Sequence, residues 1–295
     1  MNINNYNNIS WRLTILYILI FIIIMIFISY VLRLIYIINK NKQFISRDTK
    51  TDIIKDGFFM FKNILKYDEI INIKKLWDNK DYDSVKEIVH NDKNLLLNIK
   101  NVLGDDYVLM DYIWFIENSV VHTCHRDNNS HIFEFNNYPR RSYTAILYID
   151  EMDKCLDVIP RSNNNNLSVS LYDSTSTVLC KPGDFLLFDA NLVHSGSLGS
   201  NKNNRRIQLK ITHKYDIEKI GYYNNVNRIL NKHNTNSEIS KVLQKSISCQ
   251  FPIISDMTQD VNKESVNIEK EPSMMQKMYS LLFYSDENFY KLDKF

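Results

Sequence analysis

A mainly β domain with flanking helices, set behind one transmembrane helix, is the fold class this sequence predicts. Three observations lead to it. Leu13 to Leu32 is a charge-free run dominated by Ile, Leu, Phe and Met. Tyr107 to His213 is crowded with aromatic and β-branched residues and broken by turn signals, the composition of short strands. Apolar residues recur at helical spacing around that stretch, over 68–77, 83–103, 217–230 and 237–244, and predict helices there.

The first element is the apolar run. Its twenty residues, as a helix, span about 30 Å, the thickness of a bilayer's hydrocarbon core. Trp11, Tyr30 and Tyr36 are placed as interfacial aromatics. A secretory signal would have a shorter apolar core and small residues at a cleavage site, and no alanine precedes Ala145. A retained anchor over 13–32 is therefore expected, after a short polar terminus (1–12). Only Arg12 and the amino terminus precede it, whereas Arg33, Lys40, Lys42, Arg47 and Lys50 follow. That bias predicts a single pass with the following domain in the cytosol. Residues 33–51 read as a basic juxtamembrane linker.

Composition bounds the remainder. At 295 residues the chain holds one sizeable domain plus appendages. A net charge of +2 offers no basic footprint for nucleic acid. Cys124, Cys155, Cys180 and Cys249 show no paired metal spacing and are too few for a disulfide scaffold, so reduced, buried thiols are expected. Only two alanines occur beside heavy use of Asn, Ile, Lys and Tyr, which lowers the information in any Asn run.

The strand-rich stretch carries the chemistry. In His125-Arg126-Asp127 the outer two residues, two apart on an extended strand, point to one face. His194 follows a Pro182-Gly183 turn and the apolar run Phe185 to Phe188. Two imidazoles and a carboxylate form a facial set with open positions, which suits Fe(II) in oxygenases. His122, three before His125, falls on the opposite face. His131, in a loop after the motif, could at most support the ligands from behind; His213 is read as structural, and His90 and His233 as surface residues. Further on, Ile207, Leu209 and Ile211 share a face to which Arg205 belongs; Arg206, Gln208, Lys210 and Thr212 share the other. A charge on the apolar face needs a partner, and a carboxylate gripped bidentately would serve. Arg205 is thus the candidate anchor, and Arg206 is expected to meet solvent.

Taken in order, Asp56-Gly57-Phe58-Phe59, His125-Arg126-Asp127, Tyr143 to Asp150, Leu156-Asp157-Val158-Ile159-Pro160, the Pro-Gly-Asp turn, His194 and Arg205 resemble the phytanoyl-CoA dioxygenase family of Fe(II)/2-oxoglutarate oxygenases. The likeness covers roughly residues 52–213. It implies a double-stranded β-helix, a jelly-roll of two antiparallel sheets, with Fe(II) held by the catalytic residues His125, Asp127 and His194. It further implies a 2-oxoglutarate co-substrate whose far carboxylate rests on Arg205, and hydroxylation of a substrate C–H bond. Arg161, Ser162 and Asn163 stand where the family has Gly and then Ser-His, which leaves substrate choice open. Membrane tethering favours a lipid or another small molecule near the bilayer. Residues 214–295 read as a helical or irregular extension without assigned chemistry. The competing reading is a non-catalytic, membrane-anchored binding or structural protein on a degenerate oxygenase fold, which iron binding would separate from the first.

Overall fold

The computed structural model describes residues 3–39, 43–127, 140–164, 175–199, 204–218, 220, 223–252, 255 and 272–295. His131 and all but the last residue of the charged segment 259–272, expected to be loose, lie outside the described residues. The chain divides into two compact units, Met1–Asn41 and Lys42–Phe295.

The first unit is helix α1 (Ile3–Asn39). Within it the span Leu13–Arg33 has a mean hydropathy of 3.1, and the apolar side chains from Leu13 to Ile28 are exposed. By length and composition it can cross a bilayer, a test that an N-terminal signal sequence also passes.

The second unit is built on two sheets. Four short strands, β1 (Phe44–Ile45), β5 (Leu156–Val158), β6 (Ser176–Val178) and β8 (His194–Gly196), lie in the order β1-β6-β5-β8. The larger sheet runs β11-β10-β3-β9-β4-β7-β2. Its strands are β2 (Phe58–Phe61), β3 (Tyr107–Glu117), β4 (Tyr143–Tyr148), β7 (Phe185–Asp189), β9 (Arg206–His213), β10 (Val226–Asn231) and β11 (Asp293–Lys294). Pairing is antiparallel except for β1 with β6 and β10 with β3. Mixed sheets with flanking helices result, an arrangement consistent with the expected jelly-roll.

Strand alternation divides the larger sheet into two apolar layers. Ile113, Phe115, Ala145, Leu147, Leu187, Ile207, Leu209 and Ile211 pack with Ile73, Trp77, Val85, Val89, Leu95 and Ile99 of three helices. Those helices are α2 (Tyr67–Asp78), α3 (Tyr82–Asn91) and α4 (Lys93–Leu103). The opposite face, with Ile146, Tyr148, Leu186 and Phe188, packs against Leu156, Val158 and Val178 of the smaller sheet. Gly183 makes the turn before β7 possible: its φ is +85°, and a Cβ there would lie 2.6 Å from the Leu65 carbonyl oxygen.

Several expectations are corrected. The helix predicted over 83–103 is two helices, because Asp92 accepts from the Leu95 amide and caps α4. The helix predicted over 217–230 is instead β10 over its last residues, paired along Val226–Asn231 with β3 from Tyr112 to Glu117. The larger sheet therefore continues past residue 213, and the C-terminal region is part of it. Two helices follow, α5 (Glu238–Gln250), capped by Ser237, and α6 (Met274–Tyr284), capped by Ser273. The cysteines are paired, Cys124 with Cys249 and Cys155 with Cys180, at Cα separations of 4.8 and 6.1 Å. Tertiary packing joins positions 125 residues apart in the first pair, a proximity that sequence spacing does not carry.

Candidate metal centre

His125 and His194 meet because they face each other across two antiparallel segments. Each amide donates to the other's carbonyl, at 2.9 and 3.0 Å, so that an isolated bridge sets the imidazoles side by side. Asp127 lies two residues beyond that bridge, in a bend rather than on a regular strand. His125, Asp127 and His194 each offer one ligand atom, and the three atoms lie within 4.8 Å of one another.

The polar contacts orient this cluster. His125 Nδ1 bonds the Thr123 carbonyl at 2.8 Å, and His194 Nδ1 bonds the Leu192 carbonyl at 2.9 Å. A carbonyl can only accept, so both Nδ1 atoms carry the proton and both Nε2 atoms present a lone pair. Those Nε2 atoms lie 3.5 and 3.6 Å from Asp127 Oδ1. Adjacent ligand atoms about 2.1 Å from one ion sit about 3 Å apart, so a small inward movement would close the set. The ring of His194 also packs against Phe188, with centroids 4.5 Å apart.

Charge in the cluster is one-sided. Burial pushes His194 down to about 4, with His125 adding to the effect and Asp127 opposing it. Burial alone would raise the Asp127 carboxyl, but Lys210, His194 and His125 outweigh it and hold that group well below the usual range. A deprotonated Asp127 carboxylate and a neutral His194 match what a divalent cation requires of its ligands.

The faces of β9 are the reverse of those expected. Arg205, on the side of Ile207, Leu209 and Ile211, turns toward α2. Its Nε donates to Asp150 Oδ2 at 2.9 Å, Nη2 to Asp150 Oδ1 at 3.2 Å, and Nη1 to Asp78 at 2.7 Å. The carboxylate that Arg205 was expected to need is supplied by the protein. Arg206, expected in solvent, is 6% exposed and lies on the inter-sheet side. The physical reason is that the apolar face of β9 packs beneath helices, so the face with polar side chains is the one that looks into the site.

Three rows on β4 and β9 then line the inter-sheet space: Thr144 opposite Lys210, Ile146 opposite Gln208, and Tyr148 opposite Arg206. At the first, Lys210 Nζ bonds Asp127 Oδ2 at 2.9 Å and Thr144 Oγ1 at 2.7 Å, while Thr144 donates to Asp127 Oδ2 at 2.5 Å. At the last, Arg206 donates to the Asn204 and Ser119 carbonyls at 3.0 and 2.9 Å. Among the described residues no carboxylate pairs with Arg206, and burial lowers its pKa to about 10. The Tyr148 hydroxyl across from it is buried without a hydrogen-bond partner among the described residues. A buried guanidinium without a counter-charge beside an unsatisfied hydroxyl fits one end of an anionic ligand.

Sequence reasoning missed Thr144, Tyr148, Arg206 and Lys210. The available signal was that adjacent strands both carry polar groups on one face, which marks an interior lined for a ligand. His122 is buried, bonded through Nε2 to Gln244 at 3.0 Å, and is not part of the cluster. His213 lies beside Asp106, at 3.7 Å, and against the Tyr107 ring. A cavity of about 540 Å³ lined by Phe59, Phe61, Asn63, Asn94 and Val102 shares no residue with the cluster.

No protein-family model matches this chain. No curated protein matches it either. Solved structures similar to it include the non-heme α-ketoglutarate-dependent epimerase SnoN from nogalamycin biosynthesis, at 13% identity and a TM-score of 0.43, covering 55% of this chain and 80% of that one. AviO1 from Streptomyces viridochromogenes has 17% identity and a TM-score of 0.44, over 54% and 91% of the two chains. HygX from Streptomyces hygroscopicus, solved with nickel and 2-oxoglutarate bound, has 14% identity and a TM-score of 0.43, over 55% and 84%. Similarity at this level assigns neither family nor activity to the chain.

Proposed function

We propose that this chain is an Fe(II)/2-oxoglutarate-dependent dioxygenase of the phytanoyl-CoA dioxygenase type, anchored to a membrane by α1 and hydroxylating a lipid or another membrane-proximal substrate. The observation that carries the reading is the convergence of His125 Nε2, His194 Nε2 and Asp127 Oδ1, with both imidazoles held in the ligating tautomer by backbone carbonyls.

These three side chains would hold the metal, and Arg206 with Tyr148 would hold the far carboxylate of the co-substrate. Arg206 takes the role that the resemblance gave to Arg205, because Arg205 is already engaged by Asp150 and Asp78. Lys210, which touches Asp127, and Arg206 lie on the same face of one strand four residues apart, so the guanidinium lies along the strand from the metal ligands. Bound together there, Fe(II), 2-oxoglutarate and oxygen would supply the oxidising chemistry that hydroxylates a C–H bond, with succinate and carbon dioxide as co-products. The chain's own residues orient the ligand atoms, neutralise the dicarboxylate, and wall the site with Phe188, Ile146 and Leu186 against bulk water.

The substrate class rests on α1. A chain tethered by an apolar helix meets bilayer components at high local concentration. Basic residues after the span support a cytosolic domain, and we place it there; digestion of the domain by protease added to sealed vesicles tests that side.

Anaerobic titration of the detergent-solubilised full chain with Fe(II) tests the site. One ion per chain is expected, with binding lost in the His125→Ala/His194→Ala double variant. Equal binding by both proteins would remove the basis for the proposal.

A further inference from the structure

Asp127 divides its two oxygens between different tasks. Oδ1 faces the two imidazole nitrogens. Oδ2 is turned away and receives two hydrogen bonds, from Thr144 and Lys210. These donors sit opposite each other on β4 and β9, in the middle of the larger sheet; Thr144 is paired on both sides, to Lys210 and Phe188, whereas β3 breaks register opposite Lys210, between Leu109 and Ile113.

The ammonium of Lys210 is fully used. One N–H goes to Asp127 Oδ2 and one to Thr144 Oγ1, whose own proton goes to Asp127. The remaining side of Nζ is flanked by the rings of Tyr223 and Tyr112, with centroids at 5.2 and 5.9 Å, a cation–π environment. Lys210 is 6% exposed, so this buried cation rests on two hydrogen bonds and two aromatic rings. Tyr223 also donates from its hydroxyl to the Asp127 backbone carbonyl, at 3.2 Å. The aspartate is therefore held at both its carboxylate and its main chain.

We infer that Lys210, with Thr144, is a positioning residue that keeps Asp127 a one-oxygen ligand and so keeps a coordination position open for the co-substrate or oxygen. This rests on the metal-site reading given above. A carboxylate can bind a cation through one oxygen or through both. Two charged or polar donors anchored on Oδ2 make the second mode costly, since it would require breaking both bonds inside a buried site. Charge points the same way. Lys210 cancels Asp127 before metal binds, so a divalent cation, with Arg206 in the same site, leaves it strongly positive, and a dianionic co-substrate offsets most of that charge. Lys210 would thus couple metal binding to co-substrate binding.

The test counts water on the bound ion. Mn(II) is loaded to saturation into the detergent-solubilised full chain, and water-proton relaxation is measured for wild type, Lys210→Met, Lys210→Arg and Thr144→Val. In Lys210→Met only the Thr144 hydroxyl still holds Oδ2, and it has lost its own support from Lys210, so Asp127 can turn to bind through both oxygens. Exchangeable water should then fall by about a third, from three open positions to two. Thr144→Val, which removes only one of the bonds and keeps the shape of the side chain, should give a smaller fall. Lys210→Arg, which preserves charge and donors, should restore the wild-type value. A merely structural lysine would alter melting temperature without altering the water count. Unchanged relaxation in both Lys210→Met and Thr144→Val, with Mn(II) bound normally, would overturn the inference and leave the metal-site reading intact. A wild-type chain that binds no Mn(II) would overturn that reading and this inference together.

Discussion

Arg205 and Arg206 are chemically identical neighbours with opposite surroundings. Arg205 is matched to Asp150 and Asp78 at 2.7 to 3.2 Å. Among the described residues, buried Arg206 has carbonyl partners alone. Removing one partner of a buried charge pair costs about 2–5 kcal/mol, so Arg206→Ala should raise the 2-oxoglutarate concentration needed for half-maximal succinate formation by about 30-fold or more. Arg205→Ala should leave that requirement within a few-fold and lower the melting temperature instead, because Asp150 keeps only Lys74 as an ion-pair partner. Tyr148→Phe should show a smaller effect, about five-fold, the worth of one ordinary hydrogen bond. Succinate formed against co-substrate concentration for the three variants checks all of these. The alternation of β9 was legible in the sequence, because a period of two needs no partner to be seen. Which face looks inward was not, because that depends on whether helices or a second sheet cover the apolar side.

At the scale of elements, the segment carrying His125 is held from behind by the C-terminal region. Cys124 is joined to Cys249 near the end of α5, and its amide donates to Ser248 Oγ at 2.8 Å. His122 bonds Gln244 of the same helix. Burial pushes His122 down to about 4 from an ordinary 6.5, with the Gln244 bond opposing the shift. As pH falls, the unfolded chain therefore takes up this proton before the folded one. The stability from keeping His122 neutral is whole above about pH 6.5 and is lost between there and pH 4, about 3 kcal/mol in all. His122→Gln should flatten the dependence of melting temperature on pH across that window; an unchanged slope would show that another group controls it. Reducing the Cys124–Cys249 bond should cost about 2–5 kcal/mol of stability, measured by denaturant unfolding with and without reductant. The buttress was only half legible. Helical spacing over 237–244 marked α5, but β10 was read as a helix because its pairing with β3 joins residues more than a hundred positions apart, and such pairing overrides local preference.

For the whole molecule, the apolar Leu13–Arg33 window and the basic residues after it predict an integral protein with its domain exposed to the cytosol. Carbonate washing of microsomes should leave the chain in the membrane, and added protease should digest the domain. Protection of the domain would place it on the side where its disulfides are at home. The span was readable because twenty uncharged residues need no fold to interpret them. The triad was readable in part, since His125, Asp127 and His194 were nameable as ligands, while Lys210 and Thr144 became visible only once β4 and β9 were paired. The central claim is that this triad supports 2-oxoglutarate turnover. The direct measurement is succinate produced from 2-oxoglutarate by the full chain with Fe(II) and oxygen, for wild type against Asp127→Ala. The account predicts Fe(II)-dependent succinate from wild type and at least about a hundred-fold less from the variant, which lacks one ligand and its charge. Equal succinate from the two proteins, or none from wild type loaded with iron, would contradict it.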